Sequence, residues 1–406
     1  MRFVVAQIGA RHAYAVPAAL ERAGLLEHFY TDLTADTGVG GWLVKWGPLL
    51  GAGRMSQRLA RRRLPECIRA KTTTLGWATL RHGCYRALCR PGPEENFRRQ
   101  LRWDRALGTA MVRQGFGQGT HFYSMLGECA PMLAEAKRRE LGTAVEIYIL
   151  LSAERILKRE QAAFPGWESA APDFDAIRRE FSEKHHVLAS ADLAVCPSEA
   201  VRRDVVKEFA FPAERTALVP YGVEKGWFSV EPSPVKGRVL FAGTAGLRKG
   251  IQYLARAARL LREHGRNYEF QTAGDVPNLV ARQPDCRCLN FLGRVTPERL
   301  RELYRTADVF VLPTLAEGSA TVTYEALASG VPVITTPAAG SVVRDGVDGR
   351  IIAERDAAVL AGTLETIIEN RPLRDRLSRA ARQRAHDYER EKYGARLVAA
   401  LQFLAR

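Results

Sequence analysis

The feature that most constrains the fold is the stretch over residues 309–336, VFVLPTLAEGSATVTYEALASGVPVITT. The apolar run Val309–Leu312 predicts a short strand that is buried on both faces. Thr321–Ser329 predicts a short helix, and Gly330 stands where a left-handed helix stop belongs. Val331–Thr335 predicts a second strand. A strand, a helix and a strand form a βαβ unit, so we expect parallel strands and a right-handed crossover.

Two carboxylates lie in this unit, Glu317 in the loop after the first strand and Glu325 on the second turn of the helix. Ligands of open α/β sheets bind at the carboxyl ends of the strands, so both acids belong near that edge. Between them, four small residues stand where free N–H groups and the helix dipole favour a phosphate: Gly318, Ser319, Ala320 and Thr321. The pattern predicts a nucleotide-sugar site, with phosphate on N–H groups and hydroxyls on the acids. The alternative is an ordinary βαβ unit with two solvated glutamates.

The same stretch resembles the motif of retaining GT-B glycosyltransferases of family 4, the glycosyl transferases group 1. That motif is Glu, seven residues, Glu, and then Ala-Leu-Ala-x-Gly-x-Pro-Val, which is matched here by Glu317, Glu325 and 326–333. The family usually has an aromatic residue and a glycine where this chain has Ser319 and Ala320. The resemblance implies an α/β fold of the GT-B type, with two Rossmann-like domains facing each other across a cleft.

The chain of 406 residues is longer than a single α/β core usually is, which also predicts two domains. The resemblance places an acceptor-binding domain at 1–215 and a nucleotide-sugar-binding domain at 216–390. A C-terminal helix at 391–406 is expected to cross back to the first domain. The sequence Asp173-Phe174-Asp175 could in principle hold a metal, but it follows a proline and opens a helix, so we interpret it as a helix cap.

Further site residues follow from the resemblance. The loop after the first strand of the second domain carries Gly243 and Lys249, and the lysine matches the one that neutralises the donor diphosphate. Thr244 stands where the family has an arginine, and Arg248 is an adjacent substitute. The donor site is completed by residues from two further loops of the second domain and from the first βα turn of the chain: Asp275, Arg294, Gly9, Arg11 and His12. For Arg11, a diphosphate contact and a plain surface position are both open.

The net charge of +15 is concentrated in the first domain. Between Arg54 and Arg113 there are fifteen lysines and arginines but only four acids, and Trp42–Leu50 precedes this basic run. Tryptophan beside a basic amphipathic segment is typical of a surface that lies on a bilayer, so we expect segment 42–114 to face an anionic membrane. The alternative is a core helix with a solvated basic face. We expect no nucleic acid as a partner, because the stretch lacks interleaved aromatic residues and a known module.

The resemblance implies a hexosyltransferase that moves a sugar with retention of configuration from a UDP- or GDP-type sugar to a glycan or lipid-linked acceptor. Glu325 would hold the ribose, Glu317 the donor sugar, and Lys249 with Arg248 the leaving phosphate, with no metal and no cofactor. Seven cysteines without metal-ligand spacing suggest reduced thiols and hence a cytoplasmic protein. The basic segment predicts that it is peripheral on the inner face of the membrane, and the resemblance implies a role in cell-envelope or exopolysaccharide synthesis. The alternatives are a nucleotide-sugar epimerase or hydrolase of the same fold, and a non-catalytic polyanion-binding protein.

Overall fold

The computed structural model describes residues 1–47, 49, 53–89, 92–181 and 186–405. The described chain contains two parallel sheets. The first has seven strands in the spatial order β3-β2-β1-β4-β5-β6-β7. Its strands are β1 (Phe3–Ala6), β2 (Leu26–Thr31), β3 (Thr72–Thr74), β4 (His121–Met125), β5 (Gly142–Glu146), β6 (Leu193–Cys196) and β7 (Thr216–Leu218).

Helices connect these parallel strands, as parallel pairing requires. They are α1 (Ala15–Arg22), α2 (Gly38–Trp46), α3 (Gly53–Leu59), α4 (Glu66–Arg69), α5 (Gly76–Cys89), α6 (Pro93–Gln114), α7 (Ala130–Arg138), α8 (Ala153–Ala163), α9 (Phe174–Glu180), α10 (His186–Ala189) and α11 (Glu199–Phe209). The Asp173 carboxylate accepts a hydrogen bond from the Ala176 N–H at 3.1 Å, which confirms that it caps α9. The sequence predicts that the helix opening at Asp173 runs to about Ser190. The structure instead describes α9 and α10, and residues 182–185 of that prediction lie outside the described residues.

The sequence from Ala144 to Leu151, AVEIYILL, predicts one continuous strand, and this prediction is wrong in its second half. The ladder of β5 ends at Glu146, and the chain then leaves the sheet toward α8. The residues from Ile149 to Leu151 are apolar for another reason, since they line a cavity beside the sheet edge.

The second sheet has six strands in the order β10-β9-β8-β11-β12-β13. They are β8 (Arg238–Ala242), β9 (Glu269–Ala273), β10 (Leu289–Gly293), β11 (Val309–Leu312), β12 (Val333–Thr335) and β13 (Gly349–Ile351). Its helices are α12 (Ile251–Glu263), α13 (Asn278–Ala281), α14 (Pro297–Thr306) and α15 (Thr321–Ala328). The predicted βαβ unit is confirmed, because β11 pairs in parallel with β12 and Gly330 has φ +68°.

Three helices end the chain: α16 (Ala357–Glu369), α17 (Arg371–His386) and α18 (Arg390–Leu401). The last of them lies on the first domain, where a Cβ added at Gly394 would stand 3.1 Å from the Cβ of Ala19. No described helix has the length and hydropathy needed to cross a membrane. Two Rossmann-like domains with parallel sheets confirm the predicted GT-B fold class.

Candidate active site

Two glycine turns lie side by side at the carboxyl ends of β8 and β9. Gly243 and Gly274 have φ +136° and +140°, values that favour glycine strongly over other residues. A Cβ at Gly274 would lie only 2.1 Å from the carbonyl oxygen of Gly243, so the two backbones touch. Thr244, in the family's arginine position, is exposed at this edge. This geometry leaves room for a ligand group to approach the backbone closely.

Glu317 lies between two cations in the loop after β11. Its Oε1 accepts a hydrogen bond from Arg248 and lies 2.7 Å from the Nζ of Lys249. The Lys249 side chain is 14% exposed and that of Glu317 also 14%. Burial lowers the pKa of Lys249, although the Glu317 carboxylate acts in the opposite direction. The structure therefore brings together the three residues that the sequence assigns to catalysis.

Arg248 is held by more than the carboxylate. Its Nη1 also donates to the carbonyl oxygen of Ala316 at 2.6 Å, and its own carbonyl accepts from Leu315 N–H at 2.9 Å. These bonds fix the arginine to the loop after β11 rather than to Gly243. Arg248 is therefore an incomplete positional match for the arginine that Thr244 replaces.

Glu325 lies on α15 beneath the Tyr304 side chain of α14. The Tyr304 hydroxyl donates to Glu325 Oε2 at 3.3 Å and to the Val322 carbonyl oxygen at 3.0 Å. Burial raises the pKa of Glu325 to about 7, and the Tyr304 hydrogen bond opposes this only in part. A carboxylate with such a pKa gains from additional hydrogen-bond donors such as sugar hydroxyls.

The start of α15 differs in part from the predicted phosphate cradle. The Ala320 N–H donates to the Ala339 carbonyl oxygen at 3.0 Å, so this amide is not free for a phosphate. The Ser319 hydroxyl is buried and bonds to Gly340 O and to the Tyr324 hydroxyl, each at 2.8 Å. Thr321 is exposed. Ser319 and Ala320 therefore act on any donor pocket through packing, because their side chains are turned into the protein.

Gly318 lies in close contact with the first domain. A Cβ at this position would lie 1.9 Å from the Tyr148 carbonyl oxygen, and the Gly318 carbonyl accepts from the Ser198 hydroxyl at 2.5 Å. The predicted donor-sugar loop is thus pressed against the residues that follow β5.

Asp275 and Arg294 pair with each other at the outer side of the second sheet. Arg294 Nε lies 2.5 Å from Asp275 Oδ1, and the arginine side chain is 73% exposed. The Asp275 carbonyl accepts from Ala245 N–H at 2.8 Å, which ties this turn to the glycine loop after β8. The exposed pair stands near the loop but apart from the Glu317 cluster.

The first βα turn supplies Gly9, Arg11 and His12. Gly9 N–H donates to Asp32 Oδ1 at 2.9 Å. The Arg11 guanidinium pairs with Glu128 at 2.9 Å and stacks 3.9 Å from the centre of the Tyr148 ring. Of the two readings left open for Arg11, the structure shows a half-buried residue whose charge is already paired.

His12 lies against Tyr221, with the ring centres 4.0 Å apart. Burial, with the charges of Arg11 and Arg390, lowers the pKa of His12 to about 4. This imidazole is therefore neutral near pH 7 and offers no positive charge to a diphosphate.

Two acids that contact the site were not predicted. Glu128 follows β4 and bonds Arg11 and the Ile8 N–H, the latter at 2.7 Å. Its position at the carboxyl end of a predicted strand is a signal that could have identified it. The Glu168 carboxylate accepts a hydrogen bond at 2.7 Å from the N–H of Leu247, which lies in the loop after β8. No local sequence pattern predicts this long-range contact. Among the described residues, no three His, Cys, Asp or Glu side chains are grouped so that they could hold a metal ion.

Comparison with known proteins places this geometry in context. Residues 236–370 match the model of the family described as glycosyl transferases group 1. The D-inositol 3-phosphate glycosyltransferase of Nocardia farcinica is 28% identical over 237 residues, which cover 52% of this chain and 51% of that protein. The same-named protein of Geodermatophilus obscurus is 29% identical over 279 residues, covering 62% and 60%. The chain thus spans about half the length of the first relative.

Solved structures share the whole fold at low identity. Sucrose-phosphate synthase from Thermosynechococcus elongatus has a TM-score of 0.66 at 15% identity, and the match covers 100% of this chain and 99% of the synthase chain. HepE from Anabaena in complex with UDP has a TM-score of 0.61 at 14% identity, with 99% and 100% covered. Residues 236–370 thus match a glycosyl transferases group 1 domain, and they lie in the second domain of a chain with the GT-B fold.

Proposed function

We propose that this protein is a retaining glycosyltransferase that moves a sugar from a UDP- or GDP-type sugar to an acceptor bound by the first domain. The observation that carries the proposal is the cluster of Glu317, Arg248 and Lys249 at the edge where the two domains meet. A carboxylate held between two cations is suited to a reaction in which a sugar cation and a diphosphate anion separate.

Each residue of the cluster has a proposed task. The bond between the anomeric carbon and the diphosphate oxygen breaks, the acceptor oxygen bonds to the same carbon on the same face, and the acceptor hydroxyl gives its proton to the leaving diphosphate oxygen. Glu317 would stabilise the positive charge that develops on the sugar. Lys249, with Arg248, would offset the charge of the leaving diphosphate, so neither a metal nor a cofactor is part of the proposal.

Glu325 would bind the ribose of the nucleotide. Its position one turn into α15 places the carboxylate behind the Glu317 loop, and Tyr304 holds it from the other side. Relatives and neighbours support a nucleotide-sugar donor, since one relative is named MMP alpha-(1->4)-mannosyltransferase and the HepE structures contain UDP or UDP-glucose. We propose cell-envelope or exopolysaccharide synthesis as the setting for the first tests.

We further propose that the first domain docks on an anionic membrane, with the protein peripheral on its cytoplasmic face. Large apolar side chains are exposed on α2, α5 and the segment between them: Trp42 (51%), Trp46 (43%), Leu49 (78%), Met55 (43%) and Trp77 (76%). Exposed tryptophans beside basic side chains are typical of interfacial binding. Arg58, Arg61, Arg63 and Arg69 are exposed in the same region.

Part of the predicted basic patch has a different role. Arg62 is turned inward and pairs with Asp32 at 3.0 Å, and Lys71 pairs with Glu21 at 2.7 Å. These two charges are therefore not available to a membrane. The side chains of Arg54 and Arg86, and Arg90 as a whole, lie outside the described residues.

The proposed donor site is tested by thermal shift with UDP, GDP, ADP and CDP, each with and without EDTA. We expect one diphosphate to raise the melting temperature regardless of EDTA, because the cations of the site are side chains. The Glu317→Gln variant should still bind that diphosphate but lose sugar transfer. Absence of a shift with every diphosphate would contradict the proposal, and consumption of the donor sugar without an acceptor would favour an epimerase or hydrolase.

A further inference from the structure

A cavity of about 620 Å³ lies in the first domain beside the proposed site. It sits at the carboxyl ends of β1, β4 and β5, and α6 and α7 form its outer walls. Its lining includes the exposed residues Gly127 and Ala134, so it is open to solvent on the α7 side. Its volume is within the range of cavities that bind small molecules.

The lining is mainly apolar. More than half of the residues around the cavity have hydrocarbon or aromatic side chains, among them Phe97, Leu101, Leu126, Leu133, Leu150 and Leu151. Such a surface gains free energy when it is covered by another apolar group rather than by water.

The positive and negative charges of the lining side chains are equal in number, and these side chains already bond to other groups of the protein. Three arginines and three carboxylates take part: Arg11, Arg105, Arg178, Asp104, Glu128 and Glu154. Arg11 pairs with Glu128 and Arg178 pairs with Glu154, while Arg105 donates to the Phe181 carbonyl oxygen at 2.8 Å. A ligand group in the cavity therefore meets no excess charge of either sign, which favours an uncharged occupant.

One end of the cavity lies at the place of the proposed sugar transfer. Tyr148 lines the cavity, and its carbonyl oxygen is in contact with Gly318, the neighbour of Glu317. Arg11 stacks on the same tyrosine and also lines the cavity. A ligand that fills the cavity can thus present a hydroxyl to the Glu317 loop.

The outer wall leads toward the apolar surface of the first domain. His82 of α5 stacks on Trp103 of α6, with ring centres 5.0 Å apart, and α5 also carries the exposed Trp77. The helix that lines the cavity is therefore packed against one that is proposed to contact a bilayer. This arrangement is the one expected if the occupant is taken from a membrane.

We propose that the cavity binds the uncharged hydrocarbon chain of an amphipathic acceptor, whose reacting hydroxyl then lies beside Arg11 and Tyr148. This inference rests on the proposed function, because it assumes that the bound molecule accepts the sugar. The binding of a hydrocarbon chain can nevertheless be measured without any sugar transfer. Of the two acceptor classes expected from the sequence, a glycan and a lipid-linked molecule, the inference selects the lipid-linked molecule.

The experiment uses the full chain and a series of n-alkyl β-D-glucosides, hexyl to decyl, below their micelle concentrations, with affinity measured by calorimetry. Each added methylene should tighten binding about fourfold as it is buried, and glucose alone should not bind measurably. Ala134→Trp, on the exposed side of α7, places a large side chain in the cavity and should abolish the chain-length dependence. Ala358→Trp makes the same change at an exposed position on α16 in the second domain and should leave it intact.

A second cavity variant, Leu151→Gln, places an amide in the apolar lining and should weaken binding of decyl glucoside at least tenfold. The response to UDP or GDP is measured in every variant and should not change. Affinities that do not depend on chain length, or that survive both cavity variants, would overturn the inference. If no diphosphate binds to any form while the chain-length dependence holds, the proposed function fails and the hydrocarbon pocket stands.

Discussion

At the scale of single residues, the candidate site depends on one carboxylate, Glu317, that pairs with two cationic side chains. Glu317 neutralises part of the charge of Arg248 and Lys249, which are too little exposed to be stabilised by water alone. The cluster as a whole retains one positive charge. A diphosphate entering beside Gly243 would find this charge ordered in advance, because Lys249 packs against that glycine.

Replacing Lys249 by methionine should remove the direct counter-charge of the diphosphate while preserving most of the packing. We expect the affinity for the preferred nucleoside diphosphate to fall about 10-fold to 100-fold, the value of a hydrogen bond to a charged group. Calorimetry measures the loss. Lys236→Met is the matched control, because Lys236 is 55% exposed and pairs with Glu369 away from the loop. Equal affinity in both variants would remove the role of Lys249.

If Glu325 binds the ribose as proposed, nucleotide binding should depend on pH. Its pKa is about 7, so lowering the pH from 8 to 6 protonates most of the carboxylate and removes an acceptor for ribose hydroxyls. We expect the affinity to fall by up to about tenfold over this range. Glu325→Gln should bind about 10-fold to 100-fold more weakly than wild type at pH 8 and should lose this part of the pH dependence. An unchanged pH profile in the variant would show that another group titrates, such as the nucleotide itself.

At the scale of elements, the βαβ unit of β11, α15 and β12 carries the site because its first loop meets the other domain. The loop can approach so closely only because Gly318 has no side chain. The φ angle of Gly318 is not positive, so the backbone conformation would also permit alanine. An alanine side chain is excluded instead by the Tyr148 carbonyl oxygen.

Gly318→Ala should therefore disturb the contact between the domains rather than the folding of either one. The added Cβ would meet the Tyr148 carbonyl at 1.9 Å, so one of the two loops must move. We expect sugar transfer to fall at least tenfold, as happens when reacting groups are displaced by about 1 Å. Nucleotide binding should change little. Gly362→Ala on α16, where a Cβ meets nothing within 4 Å, is the control and should be fully active.

At the scale of the whole molecule, α8 of the first domain is joined to the second domain by a buried carboxylate. Glu160 is 1% exposed and accepts hydrogen bonds from Gln252, Tyr253 and Arg355. The Arg355 bond is 2.6 Å long, and all three donors belong to the second domain. This network sets the relative position of the two sheets on the side of α12.

Glu160→Ala should leave the buried Gln252 amide and Tyr253 hydroxyl without their acceptor, whereas Arg355 is 31% exposed and can be hydrated. We therefore expect the variant to lose about 1–3 kcal/mol of stability. Urea unfolding measures the change, and loss of cooperativity would show that the domains unfold separately. The control is Glu365→Ala, which breaks an exposed pair with Arg266 and should cost less than about 1 kcal/mol. A similar small effect for both variants would mean that the network contributes nothing to domain coupling.

The membrane proposal also belongs to the whole molecule. Replacing Trp42, Trp46 and Trp77 by serine together should reduce binding to vesicles with anionic lipid at least tenfold in flotation assays, because the three rings would no longer insert. Binding should also weaken with salt if the exposed arginines contribute. Serine at the buried Trp227 is not a suitable control, because that side chain packs in the core, so the exposed Val359→Ser on α16 is used instead. Vesicle binding that the triple variant retains would contradict the proposal.

The sequence by itself determined the parts of this protein that depend on neighbouring residues. Apolar runs, turn glycines and the spacing of Glu317 and Glu325 predict the βαβ unit and the sheet edge on which it opens, because strand burial and helix stops are local effects. Lys249 could be identified only through its match to the lysine of the family resemblance. The alternation of predicted strands and helices along the chain indicates an α/β fold, and its GT-B type follows from the family resemblance.

Only the tertiary structure decided which of these residues meet. In the folded chain, Arg248 bonds to Glu317 and the Ala320 N–H donates to a backbone carbonyl instead of remaining free for a phosphate. Arg11 pairs with Glu128, and Gly318 lies against Tyr148. The tertiary structure also gathered side chains from five separate segments around one cavity. Such contacts join residues that are distant in the sequence, 69 positions apart for Arg248 and Glu317 and 117 for Arg11 and Glu128. The Gly318 contact also depends on how the two domains pack, which no local pattern records.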